Sequence, residues 1–393
     1  MLYLLILVFL LFLSFQYDLK ETKVNKDFWY NFMLVVFILT AGLRYRLGLD
    51  TPNYIFGFYH VYPLIDKFSW QDYPIGNDPL WVLFNSLVKS CGGRFYHLQL
   101  IHAAFVNILV FKYIKKHSVY IFTCLFFYAI CCYTNYNMQI MRGSLSIVLC
   151  LFANDYILEK KWLKGYALYG IALLCHAQTI VLFIMPFLMF MRLNIKGVLC
   201  LIIAYALGII IQNIVGDYLF LLEASEDMSN KVERYMDSDI YGEMNDNFRS
   251  WFVRYLYDFI YAIFALWFIK HKDNSSTVLR LEPLVMVGLA VLMIQANLQI
   301  FFRYVDYFRI YFVLFYAELF IVFAKNVLKM PKLTAHIIVL LLFVPYFFLA
   351  NYLKASVFEQ YYPYSSVIEK EVYDKRESFY RIQNRPGPKE EEF

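Results

Sequence analysis

Residues 195–216 read IKGVLCLIIAYALGIIIQNIVG, a run whose one charge, Lys196, falls in the first turn. At 1.5 Å per residue a helix over this run is about 33 Å long, enough to cross a hydrocarbon core of about 30 Å. A helix apolar on every side needs a surrounding other than water. Comparable runs recur at 2–17, 28–43, 95–115, 118–134, 139–158, 164–191, 251–270, 279–300, 304–326 and 333–352. Of the 393 residues, 61% are hydrophobic, where a soluble domain is about half apolar. Barrel strands would alternate apolar and polar residues and give no such runs. The sequence therefore predicts an all-α, polytopic integral membrane protein with about 11–12 transmembrane helices.

Charge sets the expected orientation. Cations gather at Lys20/Lys23/Lys26, Lys112/Lys115/Lys116, Lys160/Lys161/Lys164, Arg192/Lys196, Lys270/Lys272 and Lys325/Lys329/Lys332, and loops of this kind stay in the cytoplasm. None of these blocks is dense enough to point to nucleic acid. Residues 164–191 would be about 42 Å long as one helix, and the flanking cations require an even number of crossings between them. A tight hairpin of two short helices turning near His176 satisfies this and gives twelve crossings. One long tilted helix is the alternative, at the cost of the charge rule at one loop. Two larger loops, 44–94 and 217–250, are then extracytoplasmic. The second holds nine carboxylates against three cations. The opening MLYLLILVFLLFLSFQ has no positive start and no small-residue cleavage site, and reads as an uncleaved helix with its N-terminus outside. The domain plan is one membrane domain, 1–352, and a C-terminal tail, 353–393. The mixed charge of 369–393 and its ending RPGPKEEEF predict disorder there. The seven cysteines form no CxxC and no zinc spacing, so no metal, disulfide or cofactor is expected.

Ionisable groups near membrane depth are costly and mark function. The segment AGLRYRLGLDTPNY (41–54) offers Arg44, Arg46, Asp50 and Tyr54, and guanidinium groups suit phosphate oxygens. Snorkelling arginines and a paired Asp are the plainer account. A second group, TNYNMQIMRGSLS (134–146), sets Asn135, Asn137, Gln139 and Arg142 at the mouth of a helix. His176, in LLCHAQTI, is a buried packing residue or a titratable base. In QIFFRYVDYFRIYF (299–312), Arg303, Asp306 and Arg309 share a helix face. Asp237-Ser238-Asp239 has the form of a metal-binding triplet, which arises readily in an acidic loop.

In order and spacing, GLRYRLGLD with Tyr54, the Asn137-to-Arg142 spacing, ALLCHAQTIVLFIMPF, FFRYVDYF and YYPYSS (361–366) resemble the EpsG family, Wzy-like polymerases of exopolysaccharide, capsule and O-antigen. The chain departs from the family pattern at Gly143, usually Gln, and at Gln178, usually Ser. The resemblance implies joining of undecaprenyl-diphosphate-linked oligosaccharide repeat units at the outer face of a bacterial cytoplasmic membrane. Its partners would be that oligosaccharide, membrane lipid, and the flippase and chain-length regulator of the same pathway. It assigns catalysis to Arg142, His176 and Asp50, and diphosphate or glycan binding to Arg44, Arg46, Tyr54, Arg303, Asp306 and Arg309. Arg44, Arg142 and Arg303 are expected to converge on the donor diphosphate without a metal. An O-antigen ligase or other lipid-dependent glycosyltransferase, and a lipid-linked glycan flippase, remain as alternatives.

Overall fold

The computed structural model describes residues 2–218, 257–273, 276–298, 301–326, 331–334, 336–337 and 360–382. The acidic loop with its Asp-Ser-Asp triplet and nearly all of the span expected at 333–352 lie outside the described residues. The described residues form helices with one isolated antiparallel bridge, between Arg44 and Ser366. Five described segments are long and apolar enough to cross a membrane: Leu2–Leu19, Phe95–His117, Met141–Leu158, Ile195–Gln212 and Thr277–Gln295. The all-α, multi-pass membrane class thus holds.

The chain divides into two compact units. The first comprises Met1–Pro186 with Phe320–Phe393, and the second Phe187–Leu319. In the first unit the helices are α1 (Leu2–Leu13), α2 (Lys26–Gly42), α3 (Thr51–Phe56), α4 (Pro79–Ser90), α5 (Phe95–His117), α6 (Ile121–Tyr128), α7 (Met141–Leu158), α8 (Trp162–Cys175) and α9 (Met185–Leu188). Their ends segregate by charge. At one end Lys115 pairs with Asp27 at 2.6 Å, Lys26 with Asp18 at 3.6 Å, and Lys116 and His117 with Asp155 at 2.5 and 2.8 Å. Lys325 joins Glu21 at 2.5 Å on the same side. At the other end lie loop 43–50, the turn 135–142 and His176. Helices α2 and α5 approach closely, because a Cβ on Gly42 would stand 2.8 Å from the Leu100 Cα. Small residues permit such contacts between membrane helices.

The hairpin expected at 164–191 is present. Helix α8 stops at Cys175, His176 is extended (φ −156°, ψ 116°), and a 3-10 stretch, Ala177–Ile184, leads into α9. The returning arm packs on the outgoing one: the Phe183 ring lies 5.8 Å from Tyr166 and 5.6 Å from Tyr169. Two residues that a straight helix would hold about 25 Å apart are thus in contact.

The second unit contains α10 (Ile195–Tyr218), α11 (Tyr257–Lys272), α12 (Glu282–Gln295), α13 (Phe302–Val305) and most of α14 (Arg309–Asn326). Leu199, Ile202, Ile203 and Ile210 of α10 are more than half exposed, a surface that lipid solvates and water does not. Glu282 is buried and accepts from Lys270 at 2.8 Å and from the Leu193 N–H at 2.7 Å.

The C-terminal segment corrects a compositional expectation. Residues 374–382, read as part of a disordered tail, form a helix, α15 (Asp374–Ile382), because long-range contacts supply the order that composition withholds. The Tyr45 N–H donates to Ser365 O at 2.8 Å, and the Val367 N–H to Leu43 O at 2.8 Å. The Tyr380 hydroxyl donates to the Arg46 and Gly48 carbonyls at 3.0 and 3.1 Å, and Arg376 donates to Pro363 O at 2.6 Å. Residues 360–382 therefore strap loop 43–50. Gly48 makes the junction possible: its φ is +103°, and a Cβ there would sit 2.4 Å from Met138 O. Gly48→Ala should therefore cost about 2 kcal/mol or more, read as a lower unfolding temperature of the detergent-solubilised protein. An unchanged temperature would mean that the loop and the strap do not form this junction.

Candidate functional site

The site grows from one carboxylate outside the candidate residues of the sequence. Asp78 precedes α4, and Pro79 takes the first helical position, where its missing N–H is harmless. A residue before proline is kept out of the right-handed helical region, and Asp78 adopts φ 52°, ψ 60°, a conformation that Asp tolerates. An Asp here ordinarily caps the helix with its side chain. Asp78 makes no such bond. Its carboxylate turns away, is 4% exposed, and meets three partners from two other segments. Arg142 Nη1 donates to Oδ2 at 3.0 Å, His176 Nδ1 lies 3.3 Å from the same oxygen, and the Ala177 N–H donates to Oδ1 at 2.8 Å.

That arrangement sets the state of His176. A carboxylate only accepts, so the Nδ1 facing it carries the hydrogen. In the neutral ring Nε2 then holds a lone pair. Gln178 Oε1 stands 3.1 Å from Nε2, and rotation of the amide offers that lone pair its NH2 instead. The ring side chain is 18% exposed and Arg142 is 44% exposed. A buried acid thus holds an imidazole and a guanidinium that both keep exposed surface.

Tyr54 and Tyr62 flank Arg142. Both interact electrostatically with its guanidinium, and Tyr54 is within hydrogen-bonding reach of it. Burial pushes both phenols up from their ordinary values, against the pull of Arg142, so they serve as neutral hydrogen-bonding groups. Trp81 of α4 supports Tyr54 edge-on at 5.4 Å and is fully buried.

The other sequence candidates, Asp50 apart, fall elsewhere. Arg44, expected on phosphate, is fully buried. Its guanidinium donates to Ala41 O at 2.6 Å and Leu47 O at 3.3 Å, and meets Met141 Sδ at 3.3 Å. Burial lowers its pKa to about 10. Arg46 pairs with Glu377 of the strap at 2.6 Å. Asp50 stays near the site: it is half-buried at the N-terminus of α3, its carbonyl accepts the Tyr54 N–H at 3.1 Å, and its charge acts on the Tyr54 phenol. Asn137 belongs to a buried network, accepting from Asn107 at 2.7 Å and donating to Tyr128 at 3.1 Å. Gln139 accepts the Tyr361 hydroxyl at 2.7 Å. Arg303, Asp306 and Arg309 lie in the second unit, where Arg309 pairs with Asp306 at 2.6 Å and Arg303 lies over the Phe302 ring at 5.6 Å. Of the nine residues, the structure gathers Arg142 and His176 on Asp78, with Tyr54 beside Arg142 and Asp50 acting on Tyr54. The one signal for Asp78 was Asn77-Asp78-Pro79 ahead of an apolar run, which reads first as a helix start.

Neither the curated proteins nor the solved structures contain a match to this chain. A model of the EpsG family matches residues 27–366, a stretch that includes Tyr54, Asp78, Arg142 and His176, so the chain belongs to the EpsG family, a family of polysaccharide polymerases.

Proposed function

We propose that this protein joins lipid-linked oligosaccharide repeat units at the outer face of the bacterial cytoplasmic membrane, with undecaprenyl diphosphate as leaving group. The carrying observation is the buried Asp78, which holds the half-exposed Arg142 and the His176 ring at 3.0 and 3.3 Å. An acceptor hydroxyl oxygen attacks the anomeric carbon of the donor sugar. The bond from that carbon to the diphosphate oxygen breaks, and the hydroxyl proton passes to His176 Nε2. Asp78 holds the imidazolium so formed. Arg142 faces the negative charge that grows on the diphosphate, where a fixed planar donor does most for the transition state. Capsule, exopolysaccharide and O-antigen repeats all fit this chemistry.

Sidedness supports the reading. In the first unit the paired lysines gather at the end opposite Asp78, and cation-rich ends stay in the cytoplasm. The site then faces outward, where lipid-linked repeats are polymerised.

Two variants test the chemistry in a deletion strain, with protein abundance measured alongside repeat-unit ladders. Arg142→Lys keeps the charge and loses the two-pronged donor, so coupling should fall about 100-fold. Asp78→Asn should fall at least as far, because the amide no longer fixes the imidazole hydrogen on Nδ1 or stabilises the ring charge. Full ladders from both variants at normal abundance would remove Arg142 and Asp78 from the reaction, and full ladders in the deletion strain itself would sink the polymerase proposal. Single additions in place of ladders would assign a ligase.

Orientation has its own test. Cys91 is exposed at the Asp78 end, between α4 and α5. A membrane-impermeant maleimide should label it in spheroplasts, and Lys161→Cys in a Cys91→Ser background should react only after permeabilisation. The reverse pattern would put the site in the cytoplasm.

A further inference from the structure

Residues 57–78, between α3 and α4, carry aromatic groups that the chemistry at Asp78 does not use. The base of this loop is fixed. Lys89 Nζ donates to the carbonyls of Tyr59 and Tyr62 at 3.2 and 3.0 Å, and Ser90 Oγ accepts the Ile65 N–H at 2.8 Å. Tyr62 lies over Gly57, where a Cβ would meet its ring at 2.9 Å. From this base an aromatic path leads outward. Tyr62 stands beside Arg142 and Asp78, and Tyr73 interacts with Tyr62. The Phe68 ring stacks on Tyr73, with centroids 5.7 Å apart and planes within 5°, and Trp70 meets Phe68 edge-on at 5.2 Å. Trp70 ends the path and is 55% exposed.

Resting on the polymerase reading, we infer that this path is a saccharide subsite, with Trp70 stacking on sugar rings several residues away from the bond being formed. A pyranose has an apolar C–H face and a rim of hydroxyls. Aromatic groups meet the face, and polar groups on the same loop meet the rim. The loop has both: Asp66, Gln71, Asp72 and Asn77 are exposed between and beside the rings. The path starts at the Arg142 site and runs out along the surface, the course that a chain of sugars must take once its reacting end lies at Asp78. A seat in the lipid interface would also expose a tryptophan. The acidic and amide groups that alternate with the aromatics here favour sugar.

The test uses the full chain in nanodiscs and lipid-free oligosaccharides of one to four repeat units, released by mild acid from the polysaccharide of the strain that carries the gene. Calorimetry reads binding, and ladders in the deletion strain read chain length. Trp70→Ala should weaken binding of the longer oligosaccharides about three- to tenfold and shorten the ladder. Trp70→Phe should keep both properties. Trp70→Leu separates the two surroundings, because leucine suits lipid and gives sugar no ring. Wild-type behaviour of Trp70→Leu would overturn the subsite and assign the loop to the membrane. Failure of the unaltered protein to bind any of the oligosaccharides would overturn it too. Arg142→Ala keeps the failures apart: it should bind oligosaccharide normally and form no product. Normal product from that variant would remove Arg142 from the reaction, and ladders of full length in the deletion strain itself would remove the polymerase reading, whatever the loop does.

Discussion

A carboxylate taken out of water must be met by donors or take up a proton, and Asp78 is met by three. Those donors come from the start of α7, from the His176 turn and from the first N–H after it. The break in α8 is what supplies the last of them. Had the helix continued through His176, the Ala177 N–H would point back along its own axis to a carbonyl four residues earlier. Ending α8 at Cys175 frees that donor for Asp78 Oδ1 and swings the imidazole to the same carboxylate. The hairpin and the candidate site are therefore one feature: the reversal of the chain is stabilised by the acid that gathers Arg142 and His176.

Loop 43–50 solves a related problem in the opposite sense. Arg44 is a cation with no exposed surface, placed just beyond the C-terminus of α2. Helix C-termini carry partial negative charge and leave carbonyls without partners. Ala41 O, in the last turn of α2, accepts from the guanidinium, so the helix end does the work of a counter-ion. Arg46, two residues on, has φ 52° and faces the other way, to Glu377. The Arg-Tyr-Arg segment thus pins α2 beneath the loop and the C-terminal strap above it. Its contribution to the site is indirect, through the Gly48–Met138 contact just ahead of Arg142.

The architecture was legible in sequence because apolar length and lysine placement are summed over whole segments. The hairpin at 164–191 was read from charge bookkeeping alone, and the Phe183 contacts with Tyr166 and Tyr169 bear out the reversal. Arg142 and His176 were legible as costly polar groups at helix ends. Asp78 was not, since a residue before Pro79 and an apolar run is indistinguishable in sequence from a cap, and only its turned side chain sets it apart. Arg44 and Arg46 misled for the converse reason: residue type tells what a guanidinium suits, while backbone placement decides what it meets. The segment 374–382 was misjudged because composition ignores partners such as the Arg46 carbonyl, hundreds of residues away in the chain.

The two departures from the family pattern turn out to face one ring. A Cβ on Gly143 would lie 3.6 Å from His176 Cδ2, and Gln178 Oε1 lies 3.1 Å from His176 Nε2. A longer side chain at 143 and the present one at 178 would therefore border the same imidazole from different segments. With Nδ1–H committed to Asp78, Nε2 needs a partner that donates to the neutral ring and accepts from the charged one. An amide does both by rotating; a hydroxyl does both by turning its hydrogen. This chain carries the amide two residues after the histidine and leaves the position after the arginine without a side chain. Both positions thus border the ring that Asp78 holds through Nδ1, one beside Cδ2 and the other beside Nε2.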